Sequence, residues 1–240
     1  MAEKEIDSLA RIRLIGTAMM PENILLSWSG GKDSARALYE IQQRGEYSVA
    51  ALLSTITEGY DRVCMHGVRR ELLERQAEAI GLPLEKIYIP RDATNGEYEA
   101  RMQAVLERYR RAGVVSVAFG DIFLEDLRQY REKNLGQLGM RGIFPIWKKD
   151  SAELARSFVE LGFKAVVVCV DSRHLDESFA GKMLDPEFLQ RLPAGVDPCG
   201  ENGEFHSFAF DGPIFPRRIK FKLGETVRRD AFWFSDLLPA

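Results

Sequence analysis

An α/β fold, a parallel sheet carrying helices with a smaller α+β lobe towards the C-terminal end, is predicted for this chain by three observations. Short apolar runs alternate with helix-periodic segments from residue 23 to about residue 136, a glycine pair separates the first run from its helix, and after residue 205 the pattern turns to period two. The alternation describes β-α-β units, whose parallel strands need helices on the sheet faces and whose crossovers run right-handed.

The run "NILLSW" is too short for a lone helix and reads as a buried strand. A helix follows it, with Ala37, Leu38 and Ile41 on one face and Gly45 as its stop. "SVAALLSTIT" is a second strand, "GVRRELLERQAEAIG" a second helix with Leu72, Leu73, Ala77 and Ile80 inward, and "KIYIP" a third strand. Thr94 and Glu97 form a capping box that opens a helix with the stripe Tyr98, Met102, Val105, Leu106 and Tyr109. "VVSVAFGDI" is the fourth strand, and "FLEDLRQYREKNLG" the helix after it.

Past residue 140 the pattern changes, and a second lobe is expected to begin there. "GIFPIW" reads as a short extended piece, Asp150 and Glu153 cap the helix "SAELARSFVELG", and "KAVVVCV" is another buried strand. "FHSFAF" and "IKFKL" alternate with period two around the turn signal Gly212-Pro213, so this end reads as antiparallel. Ile219, Phe221 and Leu223 fall on one side and Lys220 and Lys222 on the other, the pattern of a half-buried strand with a solvated lysine face rather than of a nucleic-acid surface. With no Ser/Gly/Pro-rich linker, the lobes are expected to pack against each other.

Composition bounds the function. At 240 residues, 45% hydrophobic and 29% charged, the chain can bury a sizeable core. Lys and Arg total 33 against 36 Asp and Glu, a net charge of −3 that gives no global pull towards a polyanion, so nucleic acid is not expected as a partner. No apolar stretch has the length of a membrane span, and "MAEKEIDSLARIRLIG" mixes acids where a secretory leader would not, so a cytoplasmic protein without a membrane partner is expected. Cys64, Cys169 and Cys199 form no C-x-x-C pair and read as reduced, mostly buried thiols.

The chemistry concentrates in "SWSGGKDSARALYEI". A loop that leaves a parallel strand and opens a helix aims free N–H groups, backed by the helix dipole, at an anion. Gly30 and Gly31 let the backbone approach closely, Ser29 and Ser34 add hydroxyls, Lys32 adds a charge for phosphate oxygens, and Asp33 can hold a magnesium ion directly or through water. A Walker A loop is excluded by Leu26 and Asp33 at its diagnostic positions, and the G-x-G-x-x-G fingerprint is missing.

"SGGKDS" resembles the S-G-G-x-D-S signature of the PP-loop ATP pyrophosphatases, which split ATP between the α and β phosphates. The resemblance continues through "GDI" at 120 to 122, "FPIWKKD", "GFKAVVVCVD", "GKMLD" and "CGENGEFHSFAFDGPIF", which in that order look like the diphthine-ammonia ligase branch. It implies a HUP-type, Rossmann-like ATP-binding domain over 1–140, a substrate-binding lobe over 141–240, and the cofactors ATP and Mg2+. It further implies adenylation of a carboxylate, with AMP displaced by ammonia or an amine to leave an amide. Archaeal and eukaryotic members usually read G-E-G-G-E-Y-E where this chain has Gly200-Glu201-Asn202-Gly203-Glu204-Phe205-His206, a pattern similar to the bacterial members. The carboxylate substrate, diphthine or another, is left open, as is a homodimer.

On this reading Lys32, Asp33, Glu201 and Glu204 are catalytic, the acid pair positioning an ammonium ion or taking its proton. Ser29 to Ser34 with Gly120 and Asp121 hold the nucleotide, Asp33 and Asp121 the metal, and His66, Arg128, Arg131, Asn202, Gly203 and His206 join the two glutamates at the substrate. Plainer readings stand beside these: a polar turn at 200–206, an N-cap at Asp121, solvated arginines at 128 and 131, and a capping histidine at 66. Cys199 is either a buried thiol or a nucleophile. An adenine-nucleotide sensing or hydrolysing module without ligation is the alternative from another class. Modification of tRNA by thiolation suits a neutral-to-acidic chain without paired cysteines poorly.

Overall fold

The computed structural model describes residues 20–64 and 66–240, so the 1–16 segment read against a secretory leader lies outside the described residues. The first lobe runs β1 (Glu22–Ser27), α1 (Lys32–Arg44), β2 (Tyr47–Thr57), β3 (Arg62–Val63), α2 (Arg70–Ile80), β4 (Leu84–Ile89), α3 (Asn95–Arg111), β5 (Ser116–Ala118), α4 (Glu125–Gln137) and β6 (Arg141–Ile143). Its parallel strands lie in the order β4-β2-β1-β5-β6, with β3 paired antiparallel to the end of β2. This is the parallel α/β sheet that the alternation predicts, and it is Rossmann-like, as the resemblance implies. Strand order reverses between β1 and β5, and ligands of such sheets bind in the crevice beyond the strand ends there.

Both sheet faces are covered because successive residues of each strand are apolar and point to opposite faces. Ile24, Leu26, Leu52 and Ile56 share a core with Leu38 of α1 and Leu72 of α2, while Leu25, Leu53 and Val117 pack with Leu106 of α3 and Leu135 of α4. Each such fully buried side chain contributes about 1.5–3 kcal/mol. The Thr94–Glu97 capping box forms, and Gly45 ends α1 in the left-handed conformation.

The second lobe has α5 (Ser151–Glu160), β7 (Lys164–Asp171), α6 (Pro186–Arg191), β8 (Phe205–Asp211), β9 (Phe221–Arg229) and β10 (Phe232–Pro239). Its strands form an antiparallel sheet in the order β8-β7-β10-β9. Asp150 caps α5 by accepting the Glu153 N–H at 2.8 Å.

Three details depart from the expectations. The extended piece read in "GIFPIW" is an edge strand of the first sheet, because β6 pairs in parallel with β5 and carries that sheet three residues past 140. The two alternating runs after 205 are not neighbours: β7 and β10 stand between β8 and β9. Leu223 is 55% exposed rather than inward, since β9 is the sheet's edge strand.

The two lobes share a core. Ile24 and Trp28 of the first cluster with Phe163, Ala165 and Phe208 of the second, and the Ala209 N–H of β8 donates to the Gly30 carbonyl at 2.9 Å. The strand that closes the second lobe thus touches the turn that opens the first helix.

Candidate active site

The β1–α1 turn is a glycine turn for a stated reason. Gly30 has φ +77°, and a Cβ there would lie 2.6 Å from Gln76 Oε1. Gly31 is the N-cap of α1 and supplies no side-chain cap, so the first-turn N–H groups beyond that of Lys32 are left for another acceptor. Ser29 and Ser34 shape the loop from within: Ser29 Oγ accepts the Gly31 N–H at 3.2 Å and lies 3.3 Å from Ser34 Oγ, which donates to the Gly31 carbonyl at 3.0 Å.

The loop lines one wall of a cavity of about 210 Å³. Lys32, only 4% exposed, pairs with Asp33 at 2.8 Å, and its ammonium lies 5.2 Å from the centre of the Phe205 ring. Burial opposes the Lys32 charge, but Asp33 outweighs it and holds the ammonium pKa above its usual value. Burial raises the Asp33 carboxyl against the pull of Lys32, with Asp197 and Asp121 adding to the rise.

The second wall is the loop after β5. A Cβ at Gly120 would lie 2.8 Å from the backbone carbon of Asp33, so this loop can touch the phosphate turn only with glycine there. Asp121 is buried, and both its oxygens accept from Arg131, at 2.6 and 3.1 Å, while that guanidinium sits 4.3 Å from the centre of the Phe119 ring. Asp121 is therefore a partner of Arg131 and not the N-cap of α4, a place taken by Leu124.

The third wall comes from the second lobe. Glu201 reaches across to accept the Ile122 N–H at 2.8 Å, and burial, with Asp33 and Asp121 adding to it, raises its carboxyl to about 7. His66 and His206 stack with ring centres 4.4 Å apart, and both line the cavity. Burial lowers the His66 pKa to about 4, and burial with His66 and Lys32 lowers that of His206 well below the usual range, so both imidazoles are neutral at pH 7. Gly203 lines the same cavity.

Four residues singled out from the sequence lie elsewhere. Glu204 is 2% exposed and holds its own turn, accepting from Asp197 N, Asn202 N and Asn202 Nδ2, each at 3.0 Å. Burial opposes ionisation there, but those donors hold the carboxyl below its usual value. Neither Glu204 nor Asn202 lines the cavity. Arg128 packs 4.7 and 4.8 Å from the ring centres of Phe144 and Trp147 and donates to Glu132. Cys199 donates to the Ser151 carbonyl at 3.3 Å, and burial pushes its thiol up to about 12, which disfavours the thiolate that a nucleophile needs.

Two buried residues that the motifs did not announce hold the loop. Gln76, on the inner face of α2, donates to the carbonyls of Gly30 and Ala209 at 2.9 and 2.5 Å and accepts from the Trp28 indole at 3.0 Å. Ser207 Oγ on β8 accepts the Lys32 N–H at 3.2 Å. A polar Gln between Leu73 and Ala77 on an apolar helix face was the one signal available for the first. Nothing local marked the second.

Among the described residues no three His, Cys, Asp or Glu side chains are grouped to hold a metal ion unaided. Asp33, facing the cavity with one oxygen outside its ion pair, suits a magnesium ion that takes its other ligands from phosphates and water. Asp121 would share its oxygens with Arg131. An apolar cavity of about 150 Å³ adjoins the first and shares Ser27, Phe119 and Arg131 with it, continuing over Leu53, Tyr98 and Met102.

The chain matches two family models, the diphthamide synthase N-terminal domain over residues 22–142 and the diphthamide synthase C-terminal domain over residues 150–237. The diphthine–ammonia ligase of Danio rerio is 26% identical over 223 residues, covering 83% of this chain and 86% of that protein. The diphthine–ammonia ligase of Mus musculus is 27% identical over 229 residues, with 86% and 85% covered. A solved structure described as a predicted subunit of tRNA methyltransferase from Methanocaldococcus jannaschii has a TM-score of 0.43 at 16% identity, covering 82% of this chain and 100% of that one.

Proposed function

The chain belongs to the diphthamide synthase family, and on that premise we propose that it is an ATP-dependent ligase joining ammonia to a substrate carboxylate. A carboxylate oxygen attacks the α phosphorus of ATP, the bond to the β phosphate breaks, and pyrophosphate leaves with the electron pair. Ammonia then attacks the acyl carbon, AMP departs, and one proton is lost as the amide forms. The relatives' name supplies the substrate class, a carboxylate of the diphthine kind.

The observation that carries the reading is that Lys32 and Asp33, at the first turn of α1, share one cavity with Glu201 from the other lobe. Lys32 and the free N–H groups of α1 take the charge that develops on the departing pyrophosphate. Adenosine occupies the adjoining apolar cavity beside Phe119, leaving the triphosphate along the glycine loop. Asp33 would hold magnesium, which would supply charge neutralisation on the phosphates. Glu201, poised near 7, takes the proton from the attacking ammonia. His66 and His206, both neutral, form the uncharged side of the cleft and favour ammonia over ammonium.

A nucleotide half over 1–140 and a substrate half over 141–240 go with this reading, and the extents of the two family models support the division. The protein works in the cytoplasm on this reading, with its three cysteines as free thiols. Among the described residues no helix is long and apolar enough to cross a membrane.

The test is the product spectrum of ATP with magnesium, ammonium and a cell extract as the source of substrate. Extract-dependent AMP and pyrophosphate are expected. ADP with phosphate, or tight nucleotide binding without turnover in any fraction, would overturn the assignment.

A further inference from the structure

We propose that Ser207, carried on β8 of the second lobe, donates its hydroxyl to the pyrophosphate part of ATP and so completes the phosphate cradle. The inference rests on the adenylation reading and adds a residue outside the S-G-G-x-D-S signature.

Three serines make hydrogen-bond contact with the loop, and their donors differ in fate. Ser34 donates to the Gly31 carbonyl. Ser29 accepts the Gly31 N–H, and because the Ser34 proton is already committed, the 3.3 Å contact between the two hydroxyls leaves Ser29 as the donor to Ser34. Both hydroxyl protons are therefore spent inside the loop.

Ser207 is the reverse case. Its oxygen accepts the Lys32 N–H at 3.2 Å, which uses a lone pair and not the proton. The residue is 2% exposed, yet it lines the 210 Å³ cavity facing Lys32 and Gly31. A buried hydroxyl proton without an acceptor is costly, and the cavity is where an acceptor can enter. The site supplies anion-binding chemistry on that side: Lys32 lines it, the N-cap Gly31 offers no side-chain acceptor, and the loop backbone lies against β8, whose Ser207 carbonyl is 3.0 Å from where a Gly31 Cβ would be.

The geometry also couples the donor to the loop. The Lys32 N–H holds the oxygen of Ser207, a residue that lines the cavity, while the hydroxyl proton stays free to rotate. Ser207 is thus a binding residue for the leaving group, delivered by a strand 175 positions along the chain from the N–H that orients it.

The experiment is calorimetric titration of the full-length protein and its Ser207→Ala variant with magnesium pyrophosphate and, separately, with AMP. Loss of one hydrogen bond to a charged acceptor should weaken pyrophosphate about tenfold, while AMP, which lacks that part of the ligand, binds within about twofold of the parent value. Unchanged pyrophosphate affinity would overturn the proposal, and so would equal weakening of both ligands, the mark of a loop that has merely lost its prop. Failure of the unaltered protein to bind either pyrophosphate or ATP would instead overturn the adenylation reading and this proposal together.

Discussion

Gln76 Nε2 donates to the Gly30 carbonyl at 2.9 Å and to the Ala209 carbonyl at 2.5 Å, so one fully buried side chain ties the phosphate turn to the second lobe. Gln76→Leu keeps the volume and removes the bridge. It leaves the Ala209 carbonyl and the Trp28 indole without their partner, whereas Gly30 retains the Ala209 N–H. The expected cost is about 2–4 kcal/mol, from two orphaned buried groups, with weaker ATP binding. Urea unfolding and an ATP titration check it, and a variant as stable and as tight as the parent would remove Gln76 from this role.

Glycine substitutions should sort by location. Gly30→Ala meets a left-handed φ of +77° and Gln76 Oε1 at 2.6 Å, and Gly120→Ala meets the Asp33 backbone at 2.8 Å, where no rotamer change relieves the contact. Both should lose ATP affinity by at least about tenfold, the effect of moving aligned donors off their acceptor. Gly136→Ala, inside α4 with nothing within 4 Å, is the control and should be neutral or stabilising by about 0.5–1 kcal/mol. Equal ATP affinity across all three would sink the argument.

Lys32→Ala and Asp33→Ala should each cut AMP and pyrophosphate formation by about 100-fold or more, the scale of one lost transition-state charge contact. Because Lys32 is buried, Asp33→Ala leaves a lone buried ammonium, at a cost of about 3–5 kcal/mol, while the double variant removes both charges. The double variant is therefore expected to melt above the worse single one and still be inactive. Turnover by the double variant would end the assignment.

Glu201 makes amide formation pH-dependent. Acting as a proton acceptor it must be ionised, so at fixed free ammonia the rate should rise with pH and level off above about 7. Glu201→Gln should flatten that limb and lower the plateau. Stability runs the other way: the folded carboxyl holds its proton more tightly than its ordinary 4.5, so stability present below that value is lost as pH rises to about 7. The glutamine variant lacks this loss, and its unfolding midpoint should gain on the parent across the same window.

Much of this was legible in the residues, for particular reasons. The α/β sheet shows in "NILLSW" and "SVAALLSTIT" because strands covered on both faces are continuously apolar. The phosphate loop shows because a left-handed turn under a helix leaves few choices of residue. β3 was invisible because two residues, Arg62 and Val63, carry no period. β6 reads in the sequence only as a short extended piece because a three-residue edge strand is defined by its partner β5, not by its own pattern. Glu204 reads like Glu201 in "GENGEFH", and only the fold reveals that one acid holds its turn while the other reaches Ile122. Ser207 and Gln76 act over 175 and 46 positions, distances that no local motif spans.

That separation bears on how the protein is made. Residues 29–34 leave the ribosome early, but β8, whose Ala209 N–H and Ser207 hydroxyl hold them, is synthesised some 175 residues later. Domains of nascent chains generally fold as they emerge, yet here a nearly finished first half still lacks the strand that sets its phosphate turn. ATP capture is in this way deferred until β8 has been made, and a product truncated before that strand carries the signature loop without the residues that set it.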